Sequence, residues 1–213
     1  TANPNYETKP SYSFTVTASD AAGNASTATN VTFSITNVND VGDFYQGGVI
    51  YYIFNSQDNG YVSGEIHGLI AAVENQGSEI TWSISDDVGN NVTTGATGFA
   101  IGTGRANTDA IIAVQGTASS HAAGLARAYA GGSYTDWFLP SKYELNKMYL
   151  NKATINSTAT ANGGSNFSDY GYWSSTEHSY EYARYYDFDW DVSGIALKHT
   201  TSPANKVRAV RAF

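Results

Sequence analysis

Apolar and polar residues alternate at two places near the start of the chain, over 12–18 (Tyr12-Ser-Phe-Thr-Val-Thr-Ala) and 31–36 (Val31-Thr-Phe-Ser-Ile-Thr). A period of two puts the apolar residues on one face, so both stretches are expected to be half-buried antiparallel strands. Asp20-Ala-Ala-Gly23-Asn24 between them has the residues of a hairpin turn. Two strands alone are marginal in water, so this hairpin either ends a larger β-domain or leans on the residues C-terminal to it. The pattern then changes. Residues 49–54 form a near-continuous apolar run, expected to be a central strand, with 68–73 as its partner and 80–83 as a further short strand. Residues 86–105, rich in Gly, Thr and Asn, read as a long ordered loop. Ala110, Ile111 and Val114 share one helical face over 108–115, and 122–130 continues or follows that helix. A second helix is marked by Pro140, the Ser141/Glu144 capping box and the stripe Leu145, Met148, Tyr149. The polar stretch from Asn151 to Ser168 reads as loop, and 170–213 as aromatic strands. The expectation is an α+β fold with two helices and a twisted antiparallel sheet.

Composition narrows the functional classes. At 213 residues the chain allows one large domain or two small ones, and 41% hydrophobic residues are ample for a core. A net charge of −8 argues against a nucleic-acid surface, which needs clustered Lys and Arg. No apolar run approaches the roughly 20 residues that span a bilayer, so membrane insertion is not expected. The absence of cysteine removes disulfides, thiolate metal sites and cysteine catalysis. Beginning at Thr1, with Met148 its one methionine, the sequence reads as a processed or excised piece.

Enzyme signatures are missing: no GxSxG elbow, no HExxH and no P-loop lysine. His67, His121, His178 and His199 are scattered, and a core or surface role is the weightier reading for each. Gly95, Gly98, Gly102 and Gly104 superficially resemble a phosphate loop, but without a preceding strand and lysine a structural loop is expected. Asp187, Asp189 and Asp191, spaced by two, would share a strand face and suit a hard cation, against the plainer reading of a solvated face. The unusual segment is 178–190, where Tyr, Trp, Phe and His interleave with Ser, Asp and Arg. A buried strand favours Val, Ile and Leu. This mixture matches binding paratopes, in which aromatics give contact area at small entropic cost. The alternative is a Tyr-rich strand pair packed on its own core.

Seven motifs occur in order: Gly42-Asp-Phe-Tyr-Gln-Gly-Gly-Val-Ile, His67-Gly-Leu-Ile-Ala-Ala, Thr94-Gly-Ala-Thr-Gly with Ala100-Ile-Gly-Thr-Gly, Asn107-Thr-Asp-Ala-Ile, Asp136-Trp-Phe-Leu-Pro-Ser-Lys-Tyr-Glu-Leu, Tyr172-Trp-Ser-Ser-Thr-Glu and Val207-Arg-Ala-Val-Arg-Ala-Phe. Over 42–213 the chain thereby resembles a bacterial C-type-lectin-fold family related to the C-terminal domain of Legionella collagen-like adhesin. Some members of that family are variable proteins of diversity-generating retroelements. In those, adenine mutagenesis turns Asn codons into Tyr, Ser, Asp, His and similar residues on a constant scaffold. The resemblance implies a variable region over about 172–206. Its scaffold would be 172–177, Ala183, Phe188, Lys198 and 207–213. Its ligand contacts would be His178, Ser179, Tyr180, Tyr182, Tyr185, Asp187, Asp189, Trp190, Val192, Ile195, Leu197, His199 and Thr200, with Gly194, Ala196 and Thr201 of suitable type. Trp190 and Glu181 are not reachable from an Asn codon by adenine changes. Tyr180, Tyr182, Tyr185 and Trp190 should then be exposed on one face, with Trp173 and Phe188 buried.

The same fold houses formylglycine-generating enzymes, which need cysteines, and calcium-dependent lectins, whose Glu-Pro-Asn and Trp-Asn-Asp motifs are absent here, so fold does not decide function. Residues 1–41 resemble the end of a cadherin-like repeat, and Glu7, Asn39 and Asp40 match its calcium ligands; Asn5, Ala22, Asn37 and Val41 depart from them, so calcium is possible but weakly supported. The resemblance as a whole implies a non-enzymatic binding module that requires no cofactor. It would be secreted or on a bacterial cell surface, monomeric within a longer protein, and take a protein or glycan ligand on a cell or phage surface. A glycan-binding lectin and a purely structural adhesin domain remain the alternatives.

Overall fold

The structure is a computed structural model that describes residues 11–34, 39–84, 91–201 and 205–213. The chain divides into two compact units, 1–39 and 40–213. The first is a hairpin of β1 (Ser11–Val16) and β2 (Thr29–Ser34), antiparallel, with Tyr12 opposite Phe33 and Phe14 opposite Val31. Its turn is held by the Asp20 carboxylate, which accepts from the amides of Ala22 and Asn24 at 2.9 Å each. The polar face carries cross-strand bonds between Ser13 and Thr32 and from Thr15 to Asn30. Its apolar face differs from expectation: Phe14 and Phe33 are 54% and 61% exposed rather than half-buried.

The second unit is α+β, and its centre is a four-stranded antiparallel sheet ordered β3-β4-β5-β9. Its strands are β3 (Phe44–Tyr45), β4 (Gly48–Ile53), β5 (Gly68–Ala72) and β9 (Val210–Ala212). Both faces of this sheet are buried, which is why β4 and β5 read as continuous apolar runs rather than alternating ones. Val49, Leu69, Ala71 and Val210 enter one core cluster, whereas Ile50, Ile70 and Ala72 enter the other. Helices α1 (Gly104–Gln115) and α2 (Ala122–Ala128) supply Ile111, Ala122 and Ala126 to the second cluster. Helices α3 (Lys142–Leu150) and α4 (Lys152–Ala161) supply Leu145, Met148, Ile155 and Ala159 to the first. A further antiparallel sheet, ordered β6-β7-β8, comprises β6 (Gly171–Glu177), β7 (Tyr182–Asp187) and β8 (Val192–Leu197).

Two expectations are corrected. The described residues hold four α-helices rather than two, because 122–128 forms a helix of its own after α1 and α4 occupies the polar stretch read as loop. Its Ser, Thr and Asn content opposes a helix. Ile155 and Ala159, one turn apart, are both 0% exposed, and their burial outweighs that propensity. Thr158 adds a bond from Oγ1 to the Gly42 carbonyl, at 2.7 Å. The strand expected over 80–83 does not form; Thr81 makes a single bridge with His121, while the amides of Trp82 and Ser83 donate to the Lys198 carbonyl. The capping box on α3 is present as expected: Ser141 accepts from the Glu144 amide and Glu144 from the Ser141 amide. Of the loop over 86–105, residues 86–90 lie outside the described residues; 91–103 run without regular structure into α1, which starts at Gly104.

Candidate functional site

The Gly-rich loop wraps carboxylates of its own chain. Glu144 accepts from the amides of Gly102 and Gly104 at 2.8 and 3.2 Å as well as from Ser141. A Cβ on Gly104 would lie 2.1 Å from Glu144 Oε2, so glycine is what lets the backbone approach. Burial pushes the Glu144 carboxyl up to about 7, against the opposing pull of those three amides. The earlier part of the loop binds Glu177, whose carboxylate accepts from Thr94 and Gly95. Lys198 Nζ donates to Glu177 Oε1 at 2.5 Å and to the Val92 carbonyl at 3.1 Å, over the Trp82 ring. Both side chains of this ion pair are buried, at 0% and 3% exposure. The end of β6, the end of β8 and the loop are thus tied at one charged knot.

The β7–β8 hairpin carries most of the predicted contact residues, and its register sorts them. Tyr182 faces Leu197, Arg184 faces Ile195 and Tyr186 faces Ser193 on one side of the sheet. Ala183 with Ala196, Tyr185 with Gly194 and Asp187 with Val192 lie on the other. Tyr182, Ile195 and Leu197 therefore share a side that Tyr185, Asp187 and Val192 do not. The two turns divide the set again. His178, Ser179 and Tyr180 sit between β6 and β7, with His199 and Thr200 following β8 at the same end; Asp189 and Trp190 sit in the β7–β8 turn, about 17 Å away along a six-residue strand.

Exposure separates them further. Trp190 is 79%, Val192 51%, Ile195 45% and Tyr180 44% exposed, and His178, Ser179 and Asp189 are also exposed. Tyr182, Leu197, His199, Thr200 and Asp187 are half-buried. The expectation of one open face is corrected at Tyr182, which is half-buried, and at Tyr185, which is half-buried with its ring edge-on to Trp173, 6.3 Å between centroids. Its ring also lies across Gly194, where a Cβ would come within 2.6 Å. Ala196, of suitable type for variation, is buried. Most residues expected as scaffold are inside: Tyr172, Trp173, Ala183, Phe188 and Lys198 are all at 1% exposure or less, whereas Arg211, Ala212 and Phe213 are half-buried.

The acidic cluster does not converge as a cation site. Asp187 accepts from the amides of Asp189 and Trp190, Asp189 from the Tyr170 amide, and Asp191 from the Tyr186 hydroxyl. Only Asp187 belongs to a strand; the other two shape the turn, so the shared strand face inferred from their spacing is absent. Glu7 lies outside the described residues, and the Asp40 amide donates to Asp43. Among the described residues no three His, Asp or Glu side chains are grouped to hold a metal ion, and no helix is long and apolar enough to cross a membrane.

The histidines have separate local roles. His121 is buried and caps α2: its Nδ1 accepts from the Gly124 amide and its Nε2 donates to the Gly116 carbonyl, a neutral tautomer that fits the lowering of its pKa by burial. His67 bridges Glu65 and the Phe213 carbonyl, His178 accepts from Arg184, and His199 adjoins Asn91. A cavity of about 300 Å³ is lined by Glu74, Asn75, Gln76, Leu125, Ala128 and Tyr129, none of them a predicted contact residue.

Sequence reasoning overlooked a cluster beside Tyr182 and Ile195. Arg184 stacks on Phe99 at 4.9 Å, Lys142 lies 5.8 Å from the Phe99 ring and 5.5 Å from Tyr143, and the two rings are 6.3 Å apart. Phe99 comes from the Gly-rich loop and Tyr143 from α3, segments with no aromatic-run signal. The alternation Tyr182, Arg184, Tyr186 was available as a signal for Arg184. No protein-family model matches the chain, and no curated protein matches it.

Proposed function

We propose that the chain is a non-enzymatic ligand-binding module of a secreted or surface-anchored bacterial protein. In this reading a diversified surface is displayed on a C-type-lectin-like scaffold, preceded by the end of a cadherin-like repeat and monomeric within a longer chain. The ligand is a protein or glycan on a cell or phage surface, and binding it requires no cofactor.

The observation that carries this reading is the segregation within 172–201. Most residues of suitable codon type, with Trp190 beside them, occupy exposed or half-buried positions in the turns and strands, while the residues expected to be constant between them are sealed inside. His178, Ser179, Tyr180, Asp189, Trp190, Val192 and Ile195 are exposed; Tyr172 to Glu177, Ala183, Phe188 and Lys198 are buried. Such an arrangement lets side chains change without loss of fold, since exposed substitutions usually shift stability by no more than about 0.5 kcal/mol. Tyr185 and Ala196 fall on the scaffold side of that division.

Sequencing the gene's flanks tests the diversification directly. The reading expects a reverse-transcriptase gene and an adenine-rich template repeat in which Asn codons align with the exposed positions other than Trp190. Flanks lacking both overturn it and leave an invariant surface.

A further inference from the structure

The cluster at Phe99 has a composition unusual for this chain. Acidic residues outnumber basic ones 19 to 11, yet two cations and two exposed aromatic rings meet here. Phe99 and Tyr143 are 36% and 49% exposed, and Ile195 beside Arg184 is 45% exposed. Among the described residues Arg184 and Lys142 have no carboxylate partner, as is also true of Lys147, Lys152, Lys206 and Arg208, but only these two meet over a shared exposed ring, that of Phe99. Arg184 donates one Nη2–H to His178 Nδ1 at 3.1 Å, and its buried Nε–H has no acceptor. Its guanidinium is therefore met by a ring face and a histidine nitrogen and by no carboxylate.

We propose that this patch binds an acidic sugar, a pyranose ring bearing a carboxylate. The guanidinium of Arg184 and the ammonium of Lys142 take the acid group, and the rings of Phe99 and Tyr143 stack on the C–H face of the sugar. The apolar part of the patch is flat aromatic surface, which suits a sugar ring better than the side-chain anchors of a peptide. Phe99, Lys142 and Tyr143 lie outside the region proposed to vary, whereas Arg184 lies within it, so the ring platform and the Lys142 charge are the constant part of the patch beside a changing surface. This ligand class rests on the binding-module reading.

The test is calorimetric titration of the full chain with trigalacturonate, its methyl ester and a hexaglutamate peptide. Trigalacturonate should bind, and the ester, which keeps the stacking faces but lacks the charge, should bind at least about tenfold more weakly, as should hexaglutamate. Arg184→Gln and Lys142→Gln should each weaken trigalacturonate by about tenfold with melting temperature unchanged, and Phe99→Ala should weaken acid and ester alike. Equal binding of acid and ester, equal binding of hexaglutamate, unaltered affinity in both charge variants, or no binding of trigalacturonate overturns the ligand class. In parallel, Tyr180→Ser and Trp190→Ser are melted. If they fold as the parent does, any such failure is confined to the ligand class; if they unfold the unit, the binding-module reading itself fails.

Discussion

Replacing Lys198 with methionine keeps most of the side-chain volume and removes the charge from the most enclosed ion pair among the described residues. The Glu177 carboxylate would remain buried, held by the amides of Thr94 and Gly95 and without a counter-ion. Breaking one partner out of a buried pair costs about 3–5 kcal/mol, because the remaining charge is neither hydrated nor compensated. Lys198→Met should fall in that range. Glu177→Gln should cost less, about 2–3 kcal/mol, because burial already lowers the Lys198 pKa and the abandoned amine can shed its proton. The double variant removes both charges, so its loss should be smaller than the sum of the singles by about 2 kcal/mol or more. Urea unfolding of the four proteins at neutral pH gives the cycle, and amide exchange at Thr94 and Gly95 should speed up in the Lys198 variant before the rest of the unit. A single-variant cost below about 1 kcal/mol, or additivity within about 0.5 kcal/mol, would refute the view that this pair ties the loop to β6 and β8.

Other outcomes are set by the same geometry. Trp173→Ala should cost about 3–5 kcal/mol in a thermal or urea melt, since the ring is buried and its Nε1–H donates to the Ile80 carbonyl. Tyr185→Ser should cost about 2 kcal/mol and Tyr180→Ser under about 0.5 kcal/mol, which separates the inward from the outward tyrosine in one pair of melts. Burial holds Glu144 at about 7, above its ordinary 4.5, so the folded chain binds the extra proton between those values. That contribution favours folding at low pH and is lost as pH rises from about 4.5 to about 7, worth about 3 kcal/mol at most. Stability measured across this range should be flatter in Glu144→Gln than in the parent; an unchanged slope contradicts the assignment.

How much was legible in the sequence depends on whether local signals agreed with tertiary packing. The β4 and β5 runs, the Ser141 capping box and the aromatic strands near the C-terminus were all marked locally, and each formed. Helix α4 was not legible, because KATINSTATA has poor propensity and its helicity rests on Ile155 and Ala159 meeting a core assembled from distant segments. The charged knots were hidden for the same reason: nothing near Lys198 announces Glu177, which lies across two strands. Part of the site's geometry was readable and overlooked. Tyr182 and Tyr185 are three apart, and a strand places such residues on opposite faces. That spacing alone assigns Tyr182 and Tyr185 to opposite sides of the sheet, although both are half-buried and Tyr186, on the Tyr182 side, is buried. The contribution of Phe99 and Tyr143 was beyond sequence reasoning, because it depends on where the loop and α3 come together.

The central claim is that the exposed positions of 178–195 are free to change on a constant frame. It is tested most directly by randomising His178, Ser179, Tyr180, Trp190, Val192 and Ile195 together in a displayed library and scoring the fraction that resists protease, beside a matched library at Tyr172, Trp173, Ala183, Phe188 and Lys198. Most members of the first library should remain folded, and nearly all of the second should not. Comparable losses in both would contradict the claim, and would make the aromatic hairpin part of the core.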